Sequence, residues 1–326
     1  MRMKVLVTGG AGYIGSVTTA MLLDQGDEAV VFDNLERGHR QAVDSRARFI
    51  QGDLRNTADI TTAMLEIRPD AVIHFAAYAL VGESMEHPDS YFGNNVRGGV
   101  NLAEAMLKAG VARIVFSSTC ATYGQPKQSP ITEELPQHPT NPYGESKLMF
   151  EKILGWYQQL KNFQPVFLRY FNACGAAPKY GEDHDPETHL IPNVLKVALG
   201  QRDNVAVFGQ DYDTPDNTCI RDYIHINDLA RAHLMALKTP FCGALNLGTG
   251  DGCSVLQVIE AARRITGHPI PVAFSPRRPG DPARLVADAG QARQVLGWTP
   301  EQSRIEDIVR TAWDWHRAHP HGYARA

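Results

Sequence analysis

A tyrosine and a lysine four positions apart, Tyr143 and Lys147, are side chains whose types and spacing suggest acid–base chemistry. Asn141 and Pro142 precede them and are typical of a helix N-cap and of the first helical position. A helix that begins there places both side chains on one face, near the positive end of its dipole. We expect the ammonium and the dipole to lower the pKa of the phenol, so that Tyr143 can act as a base. The plainer interpretation is an exposed pair on a solvated helix face.

A glycine-rich segment near the N-terminus predicts a dinucleotide-binding unit. The apolar strand Lys4–Thr8 leads into Gly-Gly-Ala-Gly-Tyr-Ile-Gly, a helical pattern follows, and a second strand spans Glu28–Phe32. In this order Gly9 permits a tight turn, Gly12 lets the backbone approach a pyrophosphate, and Gly15 lets helix and strand pack closely. We expect the phosphates at the helix N-terminus, where free amides and the dipole favour anions.

The residue after the second strand, Asp33, indicates which dinucleotide binds. It lies 18 residues past Gly15, close to the usual distance for an acid that binds the adenosine ribose hydroxyls. A carboxylate there repels a ribose 2′-phosphate, whereas Arg37 and Arg40 weakly favour one. We expect NAD, because Asp33 occupies the strand end itself.

Strands and helices continue to alternate, with buried strands at Ala71–Ala77, Arg113–Ser118 and Val166–Tyr170. The alternation predicts an α/β fold, a Rossmann-like doubly wound parallel sheet with helices on both faces. After Asn172 the elements are shorter, which predicts a smaller C-terminal α/β substrate lobe. We divide the chain into an NAD-binding domain of residues 1–172 and a lobe of residues 173–326, with some crossing of the chain between them.

Composition and charge argue against several classes of partner. A formal net charge of −4 gives no overall attraction to nucleic acid, and no apolar run approaches the roughly 20 residues that span a bilayer. The N-terminal strand does not resemble a signal peptide. Five scattered cysteines without a Cys-x-x-Cys pair favour reduced thiols in the cytoplasm.

An acidic, histidine-rich segment, Glu182-Asp183-His184-Asp185 with His189, could suggest a divalent metal. We interpret it as a polar loop and expect no metal.

Three features converge on the predicted ligand-binding edge of the sheet. They are the nicotinamide end of the dinucleotide, the hydroxyl cluster Ser117–Thr119, and the pair Tyr143 and Lys147. Beside a nicotinamide, such groups can move a proton and a hydride to or from one carbinol carbon. Tyr143 would take the alcohol proton, Lys147 would hold the ribose and stabilise the phenolate, and Thr119 would hydrogen-bond the reacting oxygen.

Motifs along almost the whole chain resemble the extended short-chain dehydrogenase/reductase family, in its NAD-dependent epimerase/dehydratase branch. They include Val-Thr-Gly-Gly-Ala-Gly-Tyr-Ile-Gly-Ser, Val-Ile-His-Phe-Ala-Ala, Phe-Ser-Ser-Thr-Cys-Ala-Thr-Tyr-Gly, Asn-Pro-Tyr-Gly-Glu-Ser-Lys-Leu-Met, Leu-Arg-Tyr-Phe-Asn and Arg-Arg-Pro-Gly-Asp. The resemblance implies a homodimeric isomerase that holds NAD tightly and interconverts UDP-galactose and UDP-glucose. Transient oxidation at the sugar 4-position gives a 4-keto sugar, and hydride returns to the opposite face.

The resemblance also implies two sets of contacts. The cofactor set is Gly9, Gly12, Tyr13, Ile14, Gly15, Asp33, Asn34, Asp53, Leu54, Phe75, Ala76, Ala77, Asn94, Ser117, Tyr143, Lys147 and Phe171. The UDP-sugar set is Thr119, Tyr143, Asn172, Leu190, Ala206, Phe208, Arg221, Arg278 and Asp281. The two arginines would clamp the diphosphate, although they could equally form surface salt bridges to Asp222 or Asp281.

Three positions depart from the family pattern. Ala79 stands where some members carry lysine, Thr119 replaces a common serine, and Leu285 stands where some members place a bulky tyrosine near the hexose. The smaller Leu285 predicts that N-acetylated UDP-sugars are also accepted.

Other functions stay open at this point. A 4,6-dehydratase needs an acid–base pair after the hydroxyl, and Cys120-Ala121 stands there instead. A uronate epimerase or decarboxylase is excluded less firmly. A non-catalytic NAD sensor has no need of Thr119, Tyr143 and Lys147 together.

Overall fold

The structure, a computed structural model, describes residues 2–278 and 280–324. The strands are β1 (Lys4–Thr8), β2 (Glu28–Asp33), β3 (Arg48–Gln51), β4 (Ala71–His74), β5 (Arg113–Thr119), β6 (Gln164–Tyr170), β7 (Asn172–Cys174), β8 (Val205–Phe208), β9 (Ile220–Arg221), β10 (Tyr223–His225), β11 (Gly243–Leu247), β12 (Cys253–Ser254), β13 (Val272–Ser275) and β14 (Arg284–Leu285). The helices are α1 (Tyr13–Asp24), α2 (Thr57–Ile67), α3 (Val81–Glu86), α4 (Pro88–Tyr91), α5 (Gly98–Ala109), α6 (Pro142–Lys161), α7 (Leu190–Ala198), α8 (Ile226–Lys238), α9 (Val255–Thr266), α10 (Gly290–Leu296) and α11 (Ile305–Ala318).

Seven parallel strands form the central sheet in the order β11-β6-β5-β4-β1-β2-β3. Successive side chains of a strand point to opposite faces, so Val5 and Val7 pack into one apolar layer and Leu6 into the other. Helices α1 and α8 pack together, as do α2 and α5. The strand order reverses between β1 and β4, which is the point where doubly wound sheets bind ligands. The predicted Rossmann-like fold is confirmed.

One strand of the central sheet comes from beyond residue 172, since β11 pairs with β6. A separate apolar cluster joins α7, α9 and α11, with Leu195, Ile259 and Ile308 at its centre. The division at residue 172 stays a prediction. No helix within the described residues is long and apolar enough to cross a membrane.

One predicted element has different limits. The apolar run Ala71–Ala77 is a strand only as far as His74, because the amides of Phe75 and Ala76 both donate to Thr8 O, at 2.9 and 3.1 Å. This turn exposes the ligand-binding edge of the sheet beside β1.

Candidate active site

The start of α6 lies against the end of β5. Asn141 Oδ1 caps the helix by accepting from the amide of Gly144 at 2.9 Å. A Cβ atom on Gly144 would lie 2.6 Å from the carbonyl oxygen of Ala121, so only glycine permits this approach. The turn that carries Thr119 thus packs directly against the turn that carries Tyr143.

Tyr143 is buried, with 8% of its surface exposed, as is Thr119 at 6%. Burial raises the pKa of the Tyr143 phenol and nearby Tyr170 raises it further, whereas the Thr119 hydroxyl acts to lower it. The expected lowering of this pKa is therefore wrong for the environment that the chain itself provides. Desolvation dominates, and the Lys147 ammonium lies 6.0 Å from the centre of the Tyr143 ring.

Lys147 is also buried, and its Nζ donates to the carbonyl oxygen of Ser117 at 2.8 Å. The ammonium lies 4.9 Å from the centre of the Phe116 ring. Burial lowers the pKa of Lys147 to about 7, and Glu151 acts in the opposite direction. Small changes around this amine therefore decide its charge at neutral pH.

A second phenol, Tyr170 at the end of β6, belongs to the same cluster and was not singled out from the sequence. Its hydroxyl lies 2.6 Å from Ser117 Oγ, and burial raises its pKa to about 12. Parallel pairing of β5 with β6 sets Thr119 opposite Tyr170. The sequence could have indicated Tyr170, because it is the last residue of a predicted strand, within Leu-Arg-Tyr-Phe-Asn, and such strand ends lie at the ligand-binding edge of the sheet.

A buried ion pair fixes α6 against the sheet below these groups. Arg169 of β6 contacts Glu151 of α6 at 2.6 Å, and Ser118 Oγ donates to the same carboxylate at 2.5 Å. Arg169 also donates to the hydroxyl of Tyr123 at 2.9 Å. Since a buried charge without its partner is strongly destabilising, this network holds Tyr143 and Lys147 in position.

The glycine turn after β1 forms a tight cradle at the start of α1. Gly9 has φ +74°, and a Cβ on it would lie 2.4 Å from the amide nitrogen of Ala76. A Cβ on Gly15 would lie 2.2 Å from Gly9 O, so helix and turn pack as closely as the sequence predicted. Within the described chain, the N-terminus of α1 has no side-chain cap at Gly12 and no acidic residue in its first turn. The cradle suits a diphosphate.

Asp33 ends β2 and is 8% exposed. Its carboxylate accepts from the amides of Ala11 at 3.0 Å and Leu35 at 2.8 Å. Burial raises its pKa, although both amides act against the shift. Arg37 and Arg40, which weakly favour a ribose 2′-phosphate and thus NADP, both have other partners in the structure. Arg37 forms a salt bridge to Glu83, and Arg40 stacks on the ring of Phe49.

Asn34 and Asp53 lie together next to Asp33, with Asn34 Nδ2 donating to Asp53 at 3.1 Å. A side-chain hydrogen bond from Arg55 lowers the pKa of Asp53 to about 2. Leu54 points into the core, so any contact it makes with a ligand would come from its backbone.

Further cofactor candidates follow β4 or lie on the π-helix Phe92–Arg97. Phe75 packs on the ring of His233 at 4.7 Å, close to Ala76 and Ala77 in the chain. Asn94 donates to Asn95 Oδ1 at 3.1 Å.

The UDP-sugar candidates form several groups. Ala206 and Phe208 face away from the core on β8, whereas Val205 and Val207 are buried, and the Arg278 guanidinium lies 4.0 Å above the Phe208 ring. Arg221 forms a salt bridge to Asp281, which is one of the two partners considered from the sequence.

The nicotinamide candidate Phe171, the hexose candidate Leu285 and two further UDP-sugar candidates have the following surroundings. Phe171 and Leu285 belong to one apolar cluster with Tyr123, and Leu285 stands opposite Arg221 in the pairing of β14 with β9. Asn172 donates to the carbonyl oxygen of Asp222 at 2.8 Å. Leu190 packs instead with the apolar cluster of α7 and α9.

Comparison with known proteins agrees with this geometry. The model of the NAD dependent epimerase/dehydratase family matches residues 5–248. The chain belongs to this family. It is 53% identical over 328 residues to a UDP-glucose 4-epimerase of Halalkalibacterium halodurans. The alignment covers 99% of this chain and 98% of that relative.

Two solved structures are similar over nearly their whole length. A UDP-glucose 4-epimerase from Brucella ovis in complex with NAD is 47% identical, with a TM-score of 0.93 and coverage of 96% of this chain and 98% of that one. One from Bifidobacterium longum in complex with NAD⁺ and UDP is 41% identical, with a TM-score of 0.93 and coverage of 98% and 100%. The cofactor of this epimerase/dehydratase family member is NAD, and the glycine cradle and Asp33 fit that group.

Thr119 offers a test of the hydroxyl cluster in this family member. Thr119→Val keeps the shape but removes the hydroxyl that lowers the pKa of Tyr143, so we expect turnover to fall about 10-fold or more. Thr119→Ser keeps the hydroxyl and should retain most of the turnover. Steady-state rates at equal NAD content test this, and equal rates for the two variants would contradict the role.

Proposed function

We propose that this protein interconverts UDP-galactose and UDP-glucose by transient oxidation and reduction at the sugar 4-position. The observation that carries the proposal is the buried cluster of Thr119, Tyr143 and Lys147 beside a cradle for NAD. The full-length similarity to UDP-glucose 4-epimerases supports the choice of substrate. No net oxidation occurs, and the protein is an isomerase.

The chain's own residues move one proton in each direction. Bound NAD supplies a hydride acceptor and, once reduced, a hydride donor. Tyr143 accepts the proton of the 4-hydroxyl and later returns it to the 4-keto oxygen. Lys147 supplies positive charge that favours the phenolate, and Thr119 donates a hydrogen bond to the reacting oxygen.

The C-terminal half provides the groups for the nucleotide. Arg278 and Arg221 clamp the diphosphate, with Arg221 exchanging its present partner Asp281 for phosphate oxygens. Phe208 and Ala206 line the nucleotide side. The hexose is held loosely, because it must present either face of its 4-keto carbon. We assign NAD binding to residues 1–172 and UDP-sugar binding to residues 173–326.

The deciding experiment uses the purified protein with UDP-galactose and no added NAD, and measures UDP-glucose. Product formation with no change in free NAD supports the proposal. Absence of product while NAD is bound would favour an NAD sensor, and turnover of a UDP-uronate in its place would favour a uronate epimerase or decarboxylase.

Leu285 governs the breadth of sugars in this proposal. It is partly buried against the apolar cluster that contains Phe171, and its side chain is smaller than the tyrosine of some family members, which leaves more space for a larger 2-substituent. We expect the protein to interconvert UDP-GalNAc and UDP-GlcNAc, and Leu285→Tyr to lose this reaction while UDP-galactose still reacts. Turnover of both sugar pairs is measured for each protein. A parent protein that reacts with UDP-galactose but leaves UDP-GalNAc unchanged would refute the expectation.

We also propose a homodimer. Apolar side chains are exposed on α6, with Met149 at 40%, Trp156 at 62% and Leu160 at 69%, and on α5, with Leu107 at 37%. Such a patch on two neighbouring helices suits a second copy of the chain. Trp156→Glu with Leu160→Glu should halve the mass measured by light scattering, whereas Phe274→Glu, at an exposed site on β13, should not. An unchanged mass in the double variant would place the interface elsewhere.

The cytoplasm is the proposed location. All five cysteines are free, as expected where thiols stay reduced.

A further inference from the structure

Four side chains outside the active site converge at the segment before α7. They are Glu182, His184, Glu187 and His189, and their potential ligand atoms all lie within 4.8 Å of one another. From the sequence alone, this segment is predicted to be a polar loop. The fold brings two imidazoles and two carboxylates to one point.

The distances within this cluster match the ligand shell of a small cation. His189 Nδ1 lies 2.9 Å from Glu182 Oε1 and 2.9 Å from Glu187 Oε1. His184 Nδ1 lies 3.3 Å from Glu182 Oε1 and 3.6 Å from Glu187 Oε2. In a tetrahedral zinc site with bonds of about 2.0–2.1 Å, neighbouring ligand atoms are roughly 3.3 Å apart. Small movements of the side chains therefore suffice to enclose an ion.

Burial and charge also suit a cation. The carboxylates form the closed side of the cluster, with side-chain exposures of 5% for Glu182 and 2% for Glu187. The imidazoles are more open, at 30% and 45%, and give an ion a path from solvent. Asp183 and Asp185 line the adjoining cavity and add negative charge, against one lysine, Lys196.

The plainer interpretation is a group of histidine–glutamate ion pairs. Within the described residues, however, His184 Nδ1 is buried without a hydrogen bond, despite its two nearby carboxylates. An imidazole nitrogen in that position has the distance of a ligand but lacks the alignment of a hydrogen-bond donor. A central cation would satisfy it together with the other three groups.

We propose that Glu182, His184, Glu187 and His189 bind a divalent transition-metal ion, with zinc the best match. Two imidazoles with two carboxylates suit zinc rather than magnesium or calcium, which prefer oxygen ligands alone. This replaces the expectation that the chain binds no metal, and it does not depend on the function proposed above.

The position of the site indicates a structural role. His189 is the N-cap residue of α7, and the His184 ring packs edge-on against Tyr13, the first residue of α1, with 6.2 Å between ring centres. Arg37 and His39 donate to the carbonyl oxygens of the same segment. An ion would tie the segment that contacts the NAD-binding turn to the helix that begins at Leu190.

The test titrates the purified, chelator-treated full-length protein with ZnCl₂ and counts bound zinc by mass spectrometry, with CoCl₂ as a spectroscopic probe. We expect one zinc ion per chain and a higher thermal midpoint with zinc than with chelator, because a ligand that binds only the folded state stabilises it. Cobalt should give the visible absorption of a low-coordinate site with nitrogen and oxygen ligands.

Matched variants locate the ion. His184→Gln and His189→Gln should each weaken zinc binding at least about 10-fold, whereas His321→Gln, which changes another histidine of the same cavity, should not. Circular dichroism and bound NAD report that each variant is folded. Zinc binding that is absent in the folded parent, or unchanged in both ligand variants, would overturn the proposal.

Discussion

A Tyr143→Phe variant should lose turnover by about 10²–10⁴-fold and still hold NAD. The phenyl ring fills the same buried space beside Thr119, so the loss isolates the hydroxyl as the group that moves the proton. The phenol is protonated in the environment that the chain provides, since burial raises its pKa. Positive charge nearby must therefore assist its ionisation for it to act as a base.

The matched control for this variant is Tyr157→Phe. Tyr157 lies on the same helix but packs against Phe163, with 5.2 Å between ring centres. Turnover of UDP-galactose and the absorbance of bound NAD are measured for both proteins. If Tyr143→Phe kept more than about a tenth of the parent rate, another group would have to be the base.

Local sequence signals predicted the scaffold of the site well. The cap at Asn141, the start of α6 at Pro142 and the tight turn at Gly9 each depend on a few neighbouring residues. For this reason the placement of Tyr143 and of the glycine cradle followed from spacing alone.

Properties that depend on distant parts of the chain were not predictable. The pKa of Tyr143 is set by burial under several elements, and the spacing to Lys147 gave the wrong direction. Strand β11 has only five residues, and its place beside β6 depends on pairing across the molecule. The cluster at His184 and His189 forms only because the segment folds back on itself.

Burial links these observations. The same desolvation that raises the pKa of Tyr143 lowers that of Lys147, because burial disfavours the charged form of each side chain. The buried pair of Glu151 and Arg169 lies under both and limits how far the site can relax. The chain therefore holds a protonated phenol beside an amine that is about half charged at pH 7. Positive charge on Lys147, together with that of a bound nicotinamide ring, favours ionisation of the phenol.

A Lys147→Met variant should lower turnover at pH 7 by about 100-fold or more and move the acid limb of the pH–rate profile upward by about 1–3 units. Without the ammonium, the phenolate of Tyr143 loses its nearest positive charge, so its pKa rises and a higher pH is needed to form the base. The measurement is the rate of UDP-galactose conversion from pH 5 to 10 at equal NAD content, with Lys161→Met, at the exposed end of the same helix, as control.

A measurement of folding stability distinguishes a loss of turnover in Lys147→Met from misfolding of the variant. Burial lowers the pKa of Lys147 from 10.5 to about 7, so between these values the unfolded chain binds more protons and the folded protein gains stability as pH rises. Below pH 7 the folded protein carries a poorly solvated ammonium, which Lys147→Met removes together with one hydrogen bond to Ser117. We expect the variant to unfold at an equal or higher urea concentration than the parent at pH 6. An unchanged pH profile in a stable variant would show that Lys147 does not act on the ionisation of Tyr143.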